Sequence, residues 1–204
     1  LIELVRGLLA IASNDCQLES VRLLLKTGLL PISDAEGDLL ENYLLACGIN
    51  GRSAWDSPWH FTRYFQGKRD ENGLTAAQAA TLERVNAARQ KWLDALGPWL
   101  NSAVGNRQAA GREWAQALFA CLERLGVGAK LHAWAAAAEE EGRPDEAEAN
   151  RQVWADFVGL LDEFVRALGG ESMDIREFQE TVEAGLAEFN LGLERRLKSA
   201  GIRT

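Results

Sequence analysis

Apolar residues recur at helical spacing along almost the whole chain, and this pattern constrains the fold most. The clearest case is Trp154, Phe157, Val158, Leu161, Phe164, Val165 and Leu168. The steps of three and one put every member on one face of a 3.6-residue helix. Leu1, Leu4, Val5, Leu8 and Ile11 make a similar stripe, as do Leu39, Leu40, Tyr43, Leu44 and Cys47. Punctuation falls between the stripes. Asn14 is placed to cap a second helix that Thr27-Gly28 ends. Ser33 with Glu36, and Thr75 with Gln78, read as capping boxes, and Asp174 with Glu177 caps the last helix. Gly48, Gly126 and Gly169-Gly170 are stops, and Pro144 suits a first helical turn. Gly97-Pro98 is expected to kink or break the long helix that starts after Thr75. A short alanine-rich helix is expected over residues 130–141, and no alternating run of five or more residues argues for a strand. These features predict an all-α fold, a compact multi-helix domain of about eight helices over residues 1–204, with residues 192–204 as a tail.

Residues 49–73 break the pattern. The stretch holds Pro58, three glycines, Trp55, Trp59, Phe61, Tyr64, Phe65 and His60. Between residues 51 and 69 it carries Arg52, Arg63, Lys68 and Arg69 against the single acid Asp56. The chain as a whole has 22 basic and 30 acidic residues and a formal charge of −8. That balance excludes a generally basic nucleic-acid coat and confines any DNA contact to a local reversal of sign. Aromatics interleaved with arginines suit stacking on bases and attraction to phosphates. The candidate contacts are Arg52, Trp55, Trp59, Arg63, Tyr64, Lys68 and Arg69. The competing reading of Trp55 and Trp59 is a small core that pins a long loop. Trp92, Trp99, Trp114 and Trp154 fall on inward helical faces and read as core. Arg195, Arg196, Lys198 and Arg203 form a second basic run, at the C-terminal end.

Catalytic chemistry is hard to find. The only Gly-Lys pair, Gly67-Lys68, is followed by Arg69 and has Thr62 where a phosphate-cradling loop needs its leading glycine. None of the five lysines has an acid two positions before it, as a restriction-type nuclease would, and there is no Gly-x-Ser-x-Gly elbow. His60 and His132 lack a second ligand at metal spacing. Cys16, Cys47 and Cys121 are too few and too far apart for a disulfide framework or zinc site, and read as small core hydrophobes in a reducing, cytoplasmic setting. No apolar run reaches the ~18 residues of a membrane span, and residues 1–12 are interrupted by Glu3 and Arg6, unlike a signal peptide. The first residue, Leu1, is expected to lie inside a longer protein. Glu139, Glu140, Glu141, Asp145, Glu146 and Glu148, around Arg143, read as a solvated helical hairpin. Their other reading is a docking surface.

The segments 25–31 (Leu-Lys-Thr-Gly-Leu-Leu-Pro) and 38–49 (Asp-Leu-Leu-Glu-Asn-Tyr-Leu-Leu-Ala-Cys-Gly-Ile) resemble the B subunit of the bacterial AddAB (RecBCD-like) helicase–nuclease. Gln152-Val153-Trp154, residues 160–165 and residues 183–186 continue the resemblance in order. The resemblance implies an internal piece of a subunit that helps unwind and resect double-strand DNA ends in recombinational repair. Its place would be the helical insertion of the second RecA-like motor domain, the 2B region of UvrD-like helicases. It further implies an AddA-type partner subunit, and ATP, magnesium and an iron–sulfur cluster elsewhere in the parent. No catalytic or cofactor residue of that family has a counterpart here. The leading expectation is a non-catalytic, DNA-guiding lobe. The alternative is a helical protein-interaction module without DNA contact.

Overall fold

The computed structural model describes residues 1–65, 73–103 and 107–199, with side chains described through residue 187. Among the described residues there are eight α-helices: α1 (Ile2–Ser13), α2 (Leu18–Leu25), α3 (Asp34–Cys47), α4 (Ala76–Ser102), α5 (Gly111–Arg124), α6 (Val127–Glu140), α7 (Pro144–Leu168) and α8 (Ile175–Ser199). The all-α class follows. Two short strands, β1 (Ala109–Ala110) and β2 (Ser172–Met173), pair antiparallel.

α1 is buried on more than one side. Leu4, Val5, Leu8, Leu9 and Ile11 are all out of water, and α2, α4 and α8 surround the helix. Gly7 allows the approach of α2, because a Cβ there would sit 2.7 Å from the Leu24 side chain. α2, α3 and α4 pack in succession, α5 joins α4 to the α6–α7 hairpin, and a continuous apolar core runs through these layers. The hairpin closes on Ala135, Ala138 and Ala147, whose small side chains let α6 and α7 lie close.

Both capping boxes form as the sequence predicts. Ser33 Oγ accepts the Glu36 N–H while the Glu36 carboxylate accepts the Ser33 N–H, and Thr75 and Gln78 do the same for α4. Asp174 Oδ1 accepts from Arg176 and Glu177 at the start of α8.

Four expectations are corrected. Asn14 does not occupy the cap of α2. The helix begins at Leu18, and its first N–H goes to Asn50 Oδ1 at 2.9 Å, from a segment 32 residues away. Asn14 instead accepts the Gln17 N–H and donates to Ser20 Oγ. Gly97-Pro98 does not break α4, which runs 27 residues through both. Trp92, Leu96 and Trp99 are buried on either side of the proline, and Trp99 Nε1 donates to the Leu8 carbonyl at 2.7 Å. Packing keeps the helix continuous despite the lost backbone bond. α6 also starts a turn earlier than expected, at Val127, because Gly126 takes the left-handed conformation (φ +66°) and separates it from α5. Trp154 is only half-buried, stacked on Phe119 with centroids 6.0 Å apart.

Candidate nucleic-acid interface

The irregular segment after α3 lies across α3 and α4 and is held there through its backbone. A 3₁₀ turn, Arg52–Trp55, opens it. Trp59 Nε1 then donates back to the Ala54 carbonyl at 2.7 Å. From α4, Asn86 Oδ1 accepts the Trp59 N–H at 2.8 Å and Asn86 Nδ2 donates to the Trp59 carbonyl at 3.0 Å. One carboxamide thus satisfies both backbone groups of a residue outside any helix or strand. Arg89, also on α4, donates from Nε to the Ser57 carbonyl at 3.1 Å. From α3, Tyr43 Oη donates to the Phe61 carbonyl at 2.8 Å.

An aromatic stack fills the space under this clamp. Trp92 and Trp55 lie nearly parallel with centroids 4.0 Å apart, Trp55 meets Trp59 edge-on at 5.0 Å, and Trp59 stacks on Tyr43 at 5.6 Å. Tyr64 tilts against Tyr43 at 5.4 Å. Trp55 and Trp59 are 1% and 2% exposed. Neither has a ring face left for a base, so the stacking expectation is corrected for both. They are the small core that pins the loop. Desolvation pushes the Tyr43 hydroxyl pKa well above its usual value, so it stays a donor.

Arg89 was not among the expected site residues. It is 4% exposed, with its guanidinium carbon 5.9 Å from the Trp59 ring centroid. Burial lowers its pKa and the nearby Asp56 carboxylate opposes the shift. The sequence signal was present: Val85, Arg89, Trp92, Leu96 and Trp99 step by four and three, so the arginine sits in an apolar stripe.

The other candidates separate. Arg52 is engaged internally, donating from Nη1 to Asp56 Oδ1 at 2.6 Å and from Nη2 to Asn101 Oδ1 at 3.3 Å. Arg63 is exposed and Tyr64 is half-buried. Lys68 and Arg69 lie outside the described residues, as do the side chains of Arg195, Arg196, Lys198 and Arg203. Phe61, not among the expected contacts, is 51% exposed. His60 is exposed beside it. The lip of the loop therefore presents Phe61 and Arg63 outward from a backbone fixed at residues 57, 59 and 61.

Elsewhere, the acidic hairpin is exposed and largely paired within itself. Arg143 bridges Glu141 and Glu146, and Arg151 bridges Glu139 and Glu148. Among the described residues no three His, Cys, Asp or Glu side chains converge as metal ligands. Burial pushes the Cys16 and Cys121 thiols up to about 12, and Cys47 is a half-buried free thiol. No described helix is long and apolar enough to cross a membrane.

No family model matches the chain. Among curated proteins, it is similar to the ATP-dependent helicase/deoxyribonuclease B subunit of Pelotomaculum thermopropionicum, 38% identical over 195 residues. The protein of the same name from Heliobacterium modesticaldum is 37% identical over 195 residues, and that from Moorella thermoacetica 37% over 194. Each match covers 95% of this chain and 16% of the relative, so the chain spans about one sixth of the length of these proteins. The resemblance to the B subunit read from the sequence holds across nearly the whole chain.

Proposed function

We propose that this chain is a non-catalytic helical lobe of an ATP-dependent helicase/exonuclease subunit that processes double-strand DNA ends for recombinational repair. In this reading it is the 2B-type helical insertion of a UvrD-like motor, works in the cytoplasm, and contacts DNA through the lip around Arg63 with an AddA-type partner nearby. Nucleotide hydrolysis, magnesium-dependent cleavage and the iron–sulfur cluster belong to other parts of the parent.

The observation that carries the reading is the rigid lip. α3 and α4 spend Tyr43, Asn86 and Arg89 on fixing a loop whose exposed side chains include the cation Arg63 and the aromatic Phe61. The similarity to helicase/deoxyribonuclease proteins supplies the context. A cation carried on an anchored backbone attracts phosphate without the cost of ordering the loop on binding. The body's charge of −8 works against tight DNA binding by the lobe alone.

The test uses the intact helicase–nuclease complex. Arg63→Glu, alone and combined with Arg69→Glu, is titrated with DNA ends at several salt concentrations. Loss of affinity, with the salt slope reduced by about one for each phosphate contact removed, supports the contact. Unchanged affinity and slope in a folded variant would favour the interaction-module reading, in which the exposed acidic hairpin of α6 and α7 is the docking surface.

A further inference from the structure

We infer that Phe61 is the stacking platform of this lip, and that its ligand is an exposed base face at a DNA end: an unpaired base or the open side of a terminal base pair. The inference rests on the DNA-contact reading above and names the form of DNA.

Phe61 is the most exposed of the large hydrophobic side chains among the described residues, ahead of Leu45, Trp134 and Leu23. Its exposure is not slack in the chain. The Phe61 carbonyl accepts the Tyr43 hydroxyl, and Trp59, two residues earlier, is held on both backbone groups by Asn86. The other indole and phenyl rings of the described loop are committed elsewhere, and the exposed His60 offers only a smaller imidazole. Trp55 and Trp59 are buried, and Tyr64 and Phe65 are half-buried and packed on each other at 5.3 Å. Beside the Phe61 ring lies an open hollow of about 430 Å³, lined by Cys47, Ile49, Ala54, Pro58 and Trp59 together with the polar Asn50, Ser53 and Ser57, and by no charged side chain. A flat base with a few polar edge groups fits such a surface, which offers no charged side chain to a phosphate. Arg63, two residues along, supplies the backbone attraction. Bases within a continuous duplex show no free face, so the ligand must be an end or a single strand.

The experiment measures equilibrium binding by the intact complex, without nucleotide, to three probes: a duplex with a single-stranded tail, a blunt duplex and a closed circular duplex. The variants are Phe61→Ala, Phe61→Trp and Arg63→Glu. Phe61→Ala is expected to weaken the tailed probe about 5- to 150-fold, the range for loss of one stacked base. The salt slope should stay unchanged, Phe61→Trp should restore binding, and the circle should be unaffected. Equal weakening on the blunt duplex assigns the ligand as a terminal base pair, and weakening confined to the tailed probe assigns it as an unpaired base. If Phe61→Ala leaves both unchanged while Arg63→Glu weakens them, stacking is overturned and the DNA contact stands. If neither variant changes binding, the DNA contact falls as well. Loss on the circle equal to that on the tailed probe also overturns stacking.

Discussion

Asn86 is the single side chain whose loss should most loosen the lip. It accepts the Trp59 N–H at 2.8 Å, donates to the Trp59 carbonyl at 3.0 Å and donates to the Leu82 carbonyl at 3.1 Å. Leucine at this position keeps the volume and removes every one of these bonds. Trp59 is 2% exposed, so water does not readily replace them. An orphaned buried donor costs about 1–3 kcal/mol, and a carbonyl with a second lone pair costs less. The sum for Asn86→Leu is about 2–4 kcal/mol, a large share of the ~5–15 kcal/mol that holds an ordinary domain together. For a chain of this size that corresponds to a fall in Tm of roughly 4–16 °C. Asn86→Asp keeps an acceptor for the Trp59 N–H and loses the Nδ2 donations, so it removes part of the clamp. Urea and thermal unfolding followed by tryptophan fluorescence give the free energies, and amide exchange at Trp59 reports the local bond. Tyr43→Phe removes the anchor at Phe61, and combined with Asn86→Leu it should deviate from additivity by more than ~0.5 kcal/mol, because both hold one loop. A change below ~0.5 kcal/mol for Asn86→Leu, with exchange at Trp59 unaltered, would refute the clamp.

Gly111→Ala would place a Cβ 2.6 Å from the Leu168 carbonyl oxygen and 3.1 Å from Phe164 Cζ; backbone cannot swing aside, so α5 must shift off α7, and chemical denaturation should show a loss of about 1–3 kcal/mol or more. Thiol alkylation of the native protein near pH 8 should stop at Cys47, since Cys16 and Cys121 are buried with thiols held up to about 12; mass spectrometry should find all three modified only in denaturant, and early labelling of Cys16 or Cys121 would contradict the core assignment. Glu36 is held down to about 2, from 4.5, chiefly by the Lys91 ammonium 2.6 Å away and then by the Ser33 N–H. A lowered folded pKa means its stabilisation is present above pH 4.5 and lost as pH falls through about 2. Glu36→Gln should therefore cost up to ~1 kcal/mol at pH 7, a partly exposed pair being worth no more, and nothing below pH 2; a penalty that grows on acidification would show the sign to be wrong.

Local rules were enough wherever the deciding partner lay within one or two turns. The capping boxes at Ser33 and Thr75 and the stripe of α7 are of this kind, since each needs only residues three or four apart. The failures share a cause in distant partners. The sequence places a good cap at Asn14, but the Leu18 N–H goes to Asn50. It places a breaker at Pro98, but burial of Trp92, Leu96 and Trp99, with an indole bond to Leu8, outweighs the ~3 kcal/mol a helical proline costs. Residues 49–73 were legible as exceptional from composition. Which rings would be buried was not legible, because α3 and α4 decide it through Tyr43, Asn86, Arg89 and Trp92. Periodicity marks Arg89 as a buried cation, but what it would meet there depends on the loop crossing above it.

The same geometry changes how much of the local positive charge can act at a distance. Of the described basic residues in the loop, Arg52 is held by Asp56, which leaves the exposed Arg63 to face solvent. Arg89 is beneath the Trp59 ring and serves the fold. On a body of charge −8, so small a field gives little steering at physiological salt, where the screening length is about 8 Å. Under the proposed role, affinity must come from tethering. A lobe fixed to a motor that already grips the DNA meets it at an effective concentration in the millimolar range. A contact too weak to register for the isolated chain then becomes worthwhile, provided the lip is in place before the DNA arrives. That condition gives the Tyr43, Asn86 and Arg89 anchors a functional reason. They remove the backbone's share of the ordering cost in advance, so that only the rotamer freedom of one ring and one arginine is left to be lost in the proposed contact.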